Sequence, residues 1–273
     1  MERMARLIRK IAGMAAIAVR DRMQYRFDFF MTLVATLLMS ILYYMVWLAV
    51  YRYSADQALP WDQLITYVMI GQAISFARFS PADRAPVYGM ATRIRSGDVA
   101  VDLIRPVGFQ MQRFAEALGF FVVELLWVNI PAMFLFVWGL KVAPPRDAAA
   151  AAGFVASLLA AFLVAFGLNS IAMMLSFWTI NAQGIQKAKR AIMDILAGTL
   201  IPFEFFPAWL KGVALHLPFQ SMAYIPLSIY TGKIAGPAIY GALAEQLGWA
   251  VVMLAVSRLL WGLASRRITV YGG

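Results

Sequence analysis

The sequence contains no cysteine and a single histidine, His216. The first absence excludes disulfides, thiolate zinc sites and cysteine nucleophiles, and the second excludes a metal site built from several histidines of one chain. Charged residues are also scarce, at 14% of the chain, compared with about 25% in ordinary soluble domains. No combination of nucleophile, base and acid is evident, so we predict neither a catalytic site nor a metal site.

Apolar residues, by contrast, are more abundant than a soluble core can bury. They make up 62% of the 273 residues, and the mean hydropathy is +0.72. Long apolar runs separated by short polar loops indicate an all-α integral membrane protein, because only a helix satisfies its own backbone hydrogen bonds in lipid without closing into a barrel. We predict six transmembrane helices, at residues 29–50, 61–80, 114–139, 148–180, 191–206 and 242–264. The fifth is short and is interrupted by Pro202.

The basic residues lie mostly on one side of these spans. The formal charge is +10, and all but five of the 24 lysines and arginines fall at the N-terminus, in alternate loops or at the C-terminus. The five exceptions are Arg52, Lys141, Arg146, Lys211 and Lys233. This asymmetry predicts that both termini are cytoplasmic, and it makes anionic membrane lipid, not nucleic acid, the expected partner of the positive charge.

Residues 1–26 have the pattern of an amphipathic helix, with apolar side chains at helical spacing and basic side chains mostly opposite them. Such a helix is expected to lie in the cytoplasmic interface. It could act as a simple lipid anchor or as a lever that contacts a cytoplasmic partner. The pattern does not favour either role.

The cytoplasmic loop 81–112 contains signals for a short helix over residues 98–105. Gly97 suits the end of a preceding helix, Asp98 can cap the short helix, and Pro106 stops it. An apolar side is provided by Val99, Leu103 and Ile104. A short helix that projects from the membrane is suited to docking in a groove of another protein, or it could pack on its own bundle.

The region from Gly198 to Pro226 is apolar but contains four prolines after residue 201, so it cannot form one continuous helix. Broken backbone at membrane depth is tolerated only where protein buries it or where it lines a cavity. We therefore predict short re-entrant or interfacial helices on the outer side, over residues 207–238.

The runs 94–106 and 198–226 resemble the type-2 ATP-binding-cassette (ABC-2) permeases, and in particular the bacterial branch of daunorubicin-resistance and viologen exporters. The resemblance implies one permease domain over 1–273 in the bacterial inner membrane, a connecting helix at 1–26 and a second permease, identical or homologous. It also implies a coupling helix that docks on a separate nucleotide-binding ATPase subunit. The coupling residues would be Asp98, Val99, Asp102, Leu103, Ile104 and Arg105.

ATP and Mg²⁺ would then bind the partner subunit, and this chain would bind no cofactor. Independently of the resemblance, the chain lacks a G-x-x-x-x-G-K-[ST] run, so it has no ATPase site of that type. We therefore expect no enzymatic activity from this chain alone.

Two groups of residues are candidates for the substrate pathway. Glu124 and Asn129 lie inside the third predicted span, where polar residues are costly and face either a cavity or another helix. Glu204 lies near the outer mouth among Phe203, Phe205 and Phe206, and a carboxylate beside aromatic rings suits an organic cation. A glutamate solvated at the interface is the simpler explanation for Glu204.

Small residues recur at every fourth position of the fourth predicted span, which predicts close packing against another helix. The set consists of Ala149, Gly153, Ser157, Ala161 and Ala165, with Asn169 in register.

The leading hypothesis is the permease subunit of an exporter for a hydrophobic or cationic small molecule. The alternative is a secondary transporter or channel that needs no ATPase, for which matched broken helices in an internal repeat are expected. Only one Pro-rich break is evident. A membrane-embedded lipid transferase would need an interfacial cluster of acids or histidines, and none is evident.

Overall fold

The computed structural model describes residues 2–24, 26–53, 59–82, 104, 107–175, 178 and 182–265. These residues are mostly helical and include no strand, which confirms the all-α prediction. The helices are α1 (Glu2–Met23), α2 (Arg26–Tyr53), α3 (Trp61–Ala82), α4 (Phe109–Gly139), α5 (Ala148–Leu175), α6 (Ala182–Leu196), α7 (Ala208–Ala214), α8 (Tyr224–Tyr230) and α9 (Ala238–Ala264). Two 3₁₀-helical turns, Phe203–Phe205 and Pro218–Met222, lie between the short helices.

Four of the described helices are long and apolar enough to cross a membrane. They are Phe27–Tyr53 within α2, and the whole of α4, α5 and α9. These four helices correspond to the first, third, fourth and sixth predicted spans. Large apolar side chains remain exposed along α2 and α9, as expected for helices that face lipid.

The second predicted span, α3, is helical but is not among those four. Polar residues such as Asp62 and Gln72 lower its apolar character. The side chains from Leu64 to Ile74 are nevertheless all buried, because α3 packs against α2, α4, α5 and α8. Protein surrounds this part of α3, so it can carry polar groups that a helix facing lipid could not.

The fifth predicted span, 191–206, is not one helix. α6 ends at Leu196, before the predicted interruption at Pro202, because Gly198 adopts a positive φ of 73°. The Tyr67 hydroxyl of α3 donates a hydrogen bond of 2.9 Å to the Gly198 carbonyl, and a Cβ on Gly198 would lie 2.8 Å from the Phe203 ring. A contact distant in sequence therefore sets this break, and the count of six spans stays a prediction.

Short helices do occupy the Pro-rich region, as predicted. α7, the 218–222 turn and α8 follow one another between the 203–205 turn and α9. α8 and the 218–222 turn both contact α5, and every residue of α8 is buried. Whether these helices re-enter the membrane from the outer side stays a prediction.

The small-residue seam of α5 packs against α9, which confirms the close packing predicted for it. A Cβ on Gly153 would lie 3.0 Å from Ile239 at the start of α9. Further along, at a position outside the predicted set, a Cβ on Gly167 would lie 2.6 Å from the Met253 Cβ. Large side chains at these two positions would therefore force the two helices apart.

The N-terminal helix α1 packs along α4. A Cβ on Gly119 of α4 would lie 2.7 Å from the Ala15 carbonyl oxygen and 2.9 Å from the Ala18 Cβ. Near the end of α1, Arg22 forms a 2.5 Å ion pair with Asp28 of α2. The helix is thus attached to a candidate spanning helix by direct contact, which a simple lipid anchor does not require.

Candidate functional sites in α4 and around Glu204

The middle of α4 departs from α-helical geometry. Residues Leu125–Asn129 form a π-helical turn, in which the Ile130 amide donates to the Leu125 carbonyl five residues earlier. Pro131 follows directly and has no amide hydrogen, so the helix loses one hydrogen bond of its normal pattern here. Single π-helical turns within α-helices occur frequently at functional sites.

Two polar side chains of the predicted substrate pathway lie at the two ends of this turn and are buried. Glu124 is 2% exposed and Asn129 is 0% exposed. Within the part of the chain that the structure describes, neither the amide nitrogen nor the amide oxygen of Asn129 has a hydrogen-bond partner. An amide buried in this way costs about 1–3 kcal/mol of stability, so Asn129 is not explained by packing alone.

A row of hydroxyl side chains is buried on the neighbouring helix α2. Thr32, Thr36 and Ser40 are spaced four residues apart, and each hydroxyl donates to the carbonyl one turn earlier in its own helix. α2 contacts α3 and the π-helical turn of α4. The Glu124–Asn129 segment therefore faces other helices of the same chain, and the interior there contains polar as well as apolar groups.

The second group of candidate residues surrounds the 203–205 turn. Phe203 is fully buried, with its ring stacked on Tyr224 at a centroid distance of 4.5 Å and in contact with Phe206 at 5.1 Å. Phe205 packs against Trp47 of α2 at 4.9 Å. The aromatic residues next to Glu204 are thus mainly part of the core, as the stacking shows.

Glu204 is not a solvated surface residue. Its side chain is 12% exposed and its Oε1 atom forms an ion pair with Lys233, in the turn after α8. The Lys233 ammonium also lies 5.0 Å from the centre of the Tyr224 ring. The expectation of a solvated glutamate is therefore wrong, because the fold brings a lysine 29 residues away in sequence onto the carboxylate.

A third buried polar cluster joins α5, α9 and the 218–222 turn, and it was not predicted from the sequence. The Gln246 oxygen accepts a 2.8 Å hydrogen bond from the Ser157 hydroxyl, and its nitrogen donates to the Ser221 carbonyl at 2.7 Å. Gln220 donates to Glu245 at 2.5 Å. The sequence signal for this cluster was a glutamine inside an apolar span, but the sequence alone does not identify the hydrogen-bond partners of that glutamine.

The candidate groups lie on different elements. Glu124 and Asn129 belong to α4, whereas side chains of the Phe203–Phe206 segment contact Tyr224, Trp47 and Lys233. Of the coupling residues, Ile104 alone is described, and it is helical and 82% exposed. The predictions for Asp98, Val99, Asp102, Leu103 and Arg105 concern residues outside the described ranges.

Residues 37–272 match the family model described as ABC-2 family transporter protein. The chain belongs to the ABC-2 transporter family. Searches of curated proteins and of solved structures find no match for it. The match begins within α2 and covers every later helix that the structure describes, so it includes both candidate sites.

As an ABC-2 family member, the chain is a membrane-embedded transport permease, and in this family the ATPase is a separate subunit. The family match favours this class over a secondary transporter. The narrower resemblance to daunorubicin-resistance and viologen exporters stays a prediction.

An apolar groove of about 500 Å³ lies between α4 and α5 of the permease. Its lining contains no charged side chain and five aromatic ones, which are Phe121, Phe134, Trp138, Phe154 and Tyr230. The groove suits an acyl chain or another apolar group, since it offers almost no hydrogen-bonding partner.

Proposed function

We propose that this permease pairs with a second permease and with separate ATPase subunits to export a hydrophobic or cationic small molecule. The observation that carries the proposal is the ABC-2 family match over residues 37–272, together with four apolar helices of membrane-crossing length. ATP and Mg²⁺ would bind the ATPase subunits, and conformational changes there would switch the permeases between inward-open and outward-open states.

The proposed topology has six membrane crossings in the bacterial inner membrane, with both termini in the cytoplasm. The distribution of lysine and arginine supports this orientation. In this arrangement α3 would be a crossing enclosed by protein. The segment from α6 to α8 would complete the fifth crossing and form the re-entrant outer region.

The coupling helix would be residues 98–105, in the cytoplasmic loop. Ile104 supports this assignment because a large apolar side chain that is 82% exposed is available to enter a groove of a partner. α1 would provide a second mechanical path, since its contact at Gly119 attaches it to α4. Movement of α1 would then be transmitted along α4 to the Glu124–Asn129 segment, since Gly119 and this segment belong to the same helix.

The proposed substrate class follows from the groove and the acidic residues. The apolar groove between α4 and α5 would accept a hydrophobic body. Glu124 and Glu204 would favour a positive charge, although Glu204 is already paired with Lys233. A lipophilic cation combines both properties.

The test begins with mild purification of the tagged permease from membranes of its own host, to identify co-purifying subunits. The expected result is an ATPase subunit, and proteoliposomes of that complex should transport a lipophilic cation only with ATP and Mg²⁺. Transport by the permease alone without nucleotide would contradict the proposal and support the secondary-transporter alternative.

Ile104→Asp tests the coupling assignment, with Ile104→Val as the matched control. A charge in an apolar groove should release the ATPase and abolish ATP-dependent transport, whereas valine keeps the apolar contact. Membrane insertion should be unchanged in both variants. Normal transport by Ile104→Asp would contradict the assignment of residues 98–105.

A further inference from the structure

The pairing of Glu204 with Lys233 has the composition of a cation-binding site. The Lys233 ammonium contacts the Glu204 carboxylate and lies 5.0 Å from the centre of the Tyr224 ring. Phe203 stacks on Tyr224 with an angle of 17° between the ring planes and so holds the Tyr224 ring in place. A carboxylate beside an electron-rich ring is the combination that recognises alkylammonium groups.

The Glu204 carboxylate accepts fewer hydrogen bonds than it can. Its Oε2 atom is buried, and among the residues that the structure describes it has no hydrogen-bond partner. A carboxylate accepts several hydrogen bonds when fully solvated. One ammonium group on Oε1 therefore leaves part of its capacity unused, which is unusual for a pair that serves stability alone.

Lys233 is charged in this position. Partial burial lowers its pKa, but hydrogen bonds to Glu204 and Tyr224, together with charge attraction by the same two groups, outweigh that effect and raise the pKa above its usual value. The side chain is also 43% exposed, so the ammonium is accessible on one side. A lysine side chain has a flexible four-carbon stem, and it can leave the carboxylate by rotation without movement of the backbone.

We propose that the Glu204 carboxylate and the Tyr224 ring, which Phe203 supports by stacking, form a binding site for an alkylammonium group, which the side chain of Lys233 occupies in the absence of a ligand. Lys233 is then an internal competitor that an organic cation displaces. Binding at this site is independent of the proposed function, and only its use in substrate selection rests on that function. The site narrows the substrate class to molecules with an ammonium or a similar compact cation.

The test is chemical rescue in Lys233→Ala, which removes the amine and its stem but keeps the carboxylate and the rings. Thermal unfolding of the purified permease is measured in detergent with increasing n-butylammonium chloride, against sodium chloride at equal ionic strength. The expected result is a saturable rise of the melting temperature. The half-saturating concentration should be about tenfold lower than in the wild type if Lys233 fills the site about nine-tenths of the time.

Two variants define the controls. Lys233→Ala combined with Glu204→Gln should show no saturable rise, because the carboxylate charge is gone. Lys211→Ala, which removes a lysine of α7 outside the cluster, should respond like the wild type. The proposal is overturned if n-butylammonium does not stabilise Lys233→Ala, or if it stabilises the double variant equally.

A second measurement covers the case in which Lys233→Ala does not fold. Calorimetric titration of n-butylammonium into the wild type and into Glu204→Gln should show at least about tenfold weaker binding to the variant, equivalent to about 1.4 kcal/mol. Equal affinity would overturn the proposal. Both measurements use the permease without an ATPase, so the two proposals can fail separately. If n-butylammonium stabilises Lys233→Ala but ATP-dependent transport is absent, only the exporter proposal is contradicted. If transport occurs but n-butylammonium does not stabilise Lys233→Ala, only the proposed binding site is contradicted.

Discussion

Two buried side-chain amides of this permease lie in very different surroundings. Gln246 of α9 makes hydrogen bonds through both amide atoms, with partners on α5 and in the 218–222 turn. Asn129 of α4 is equally buried, but neither of its amide atoms has a described partner. The first amide holds three segments together, whereas the second destabilises the helix that carries it.

We infer from this difference that the Gln246 region serves stability, and the difference supports the prediction that the Asn129 region serves function. A satisfied amide contributes to stability in the α5–α9 interface, where Gly153 and Gly167 also allow the two helices to approach closely. An unsatisfied amide beside a π-helical turn lowers stability, and residues of this kind persist where function requires them. We therefore expect the α5–α9 interface to be rigid, and we expect movement or substrate contact in the middle of α4.

The largest effect is expected for Gly167→Ala, which tests the close contact of α5 with α9. The new Cβ would lie 2.6 Å from the Met253 Cβ, so the free energy of unfolding should fall by about 2 kcal/mol. Thermal unfolding in detergent measures it. Gly248→Ala is the matched control, since a Cβ there meets nothing within 4 Å. Equal stability of the two variants would contradict the rigid interface.

Gln246→Met should have a slightly smaller effect. The substitution preserves the shape of the side chain but leaves the Ser157 hydroxyl and the Ser221 carbonyl without their partner. We expect a loss of about 1–2 kcal/mol, measured by the same unfolding experiment, with transport reduced only in proportion to the amount of folded protein. A variant as stable as the wild type would show that the cluster does not hold the 218–222 turn in place.

Gly119→Ala addresses the attachment of α1 to α4. Its Cβ would lie 2.7 Å from a backbone oxygen of α1, so α1 must shift, at a cost of about 1 kcal/mol. Transport should fall further than stability if α1 transmits movement to α4. Gly13→Ala on α1 is the control, because nothing lies within 4 Å of the new Cβ. Normal transport by Gly119→Ala would exclude the proposed lever.

Asn129→Leu should be the substitution of the four that does not lower stability, and it should have a large effect on transport. Because leucine removes an unsatisfied amide and keeps a similar volume, the free energy of unfolding should stay the same or rise, by no more than the cost of the buried amide, about 1–3 kcal/mol. ATP-dependent transport in proteoliposomes should decrease severalfold. A loss of stability like that of Gln246→Met would remove the distinction between the two regions.

Much of the fold was predictable because lipid imposes strong rules on sequence. The spans that correspond to α2, α4, α5 and α9 follow from length and apolar composition, and the packing seam of α5 follows from its small residues. The short helices after residue 207 follow from the prolines. Each of these features is local, so a window of about 20 residues contains the information.

The candidate sites were only partly predictable. Glu124, Asn129 and Glu204 could be identified as candidates because burying polar side chains in apolar segments costs free energy. Their surroundings could not be predicted, since the carboxylate of Glu204 forms an ion pair with a lysine from another turn and Gln246 forms hydrogen bonds with two separate segments. Partners of this kind depend on how the helices pack, which no local pattern records.

By itself, the sequence determined that the chain is a helical membrane protein, and it predicted that the basic residues lie mostly on one side, since these properties depend on composition and on spacing along the chain. Only the tertiary structure decided that α3 is enclosed by protein, that α6 ends at Leu196 and that Lys233 occupies the carboxylate of Glu204. The physical reason is that burial, the Tyr67–Gly198 hydrogen bond and the ion pair each join residues far apart in sequence. Such contacts acquire their energy only when the helices have packed.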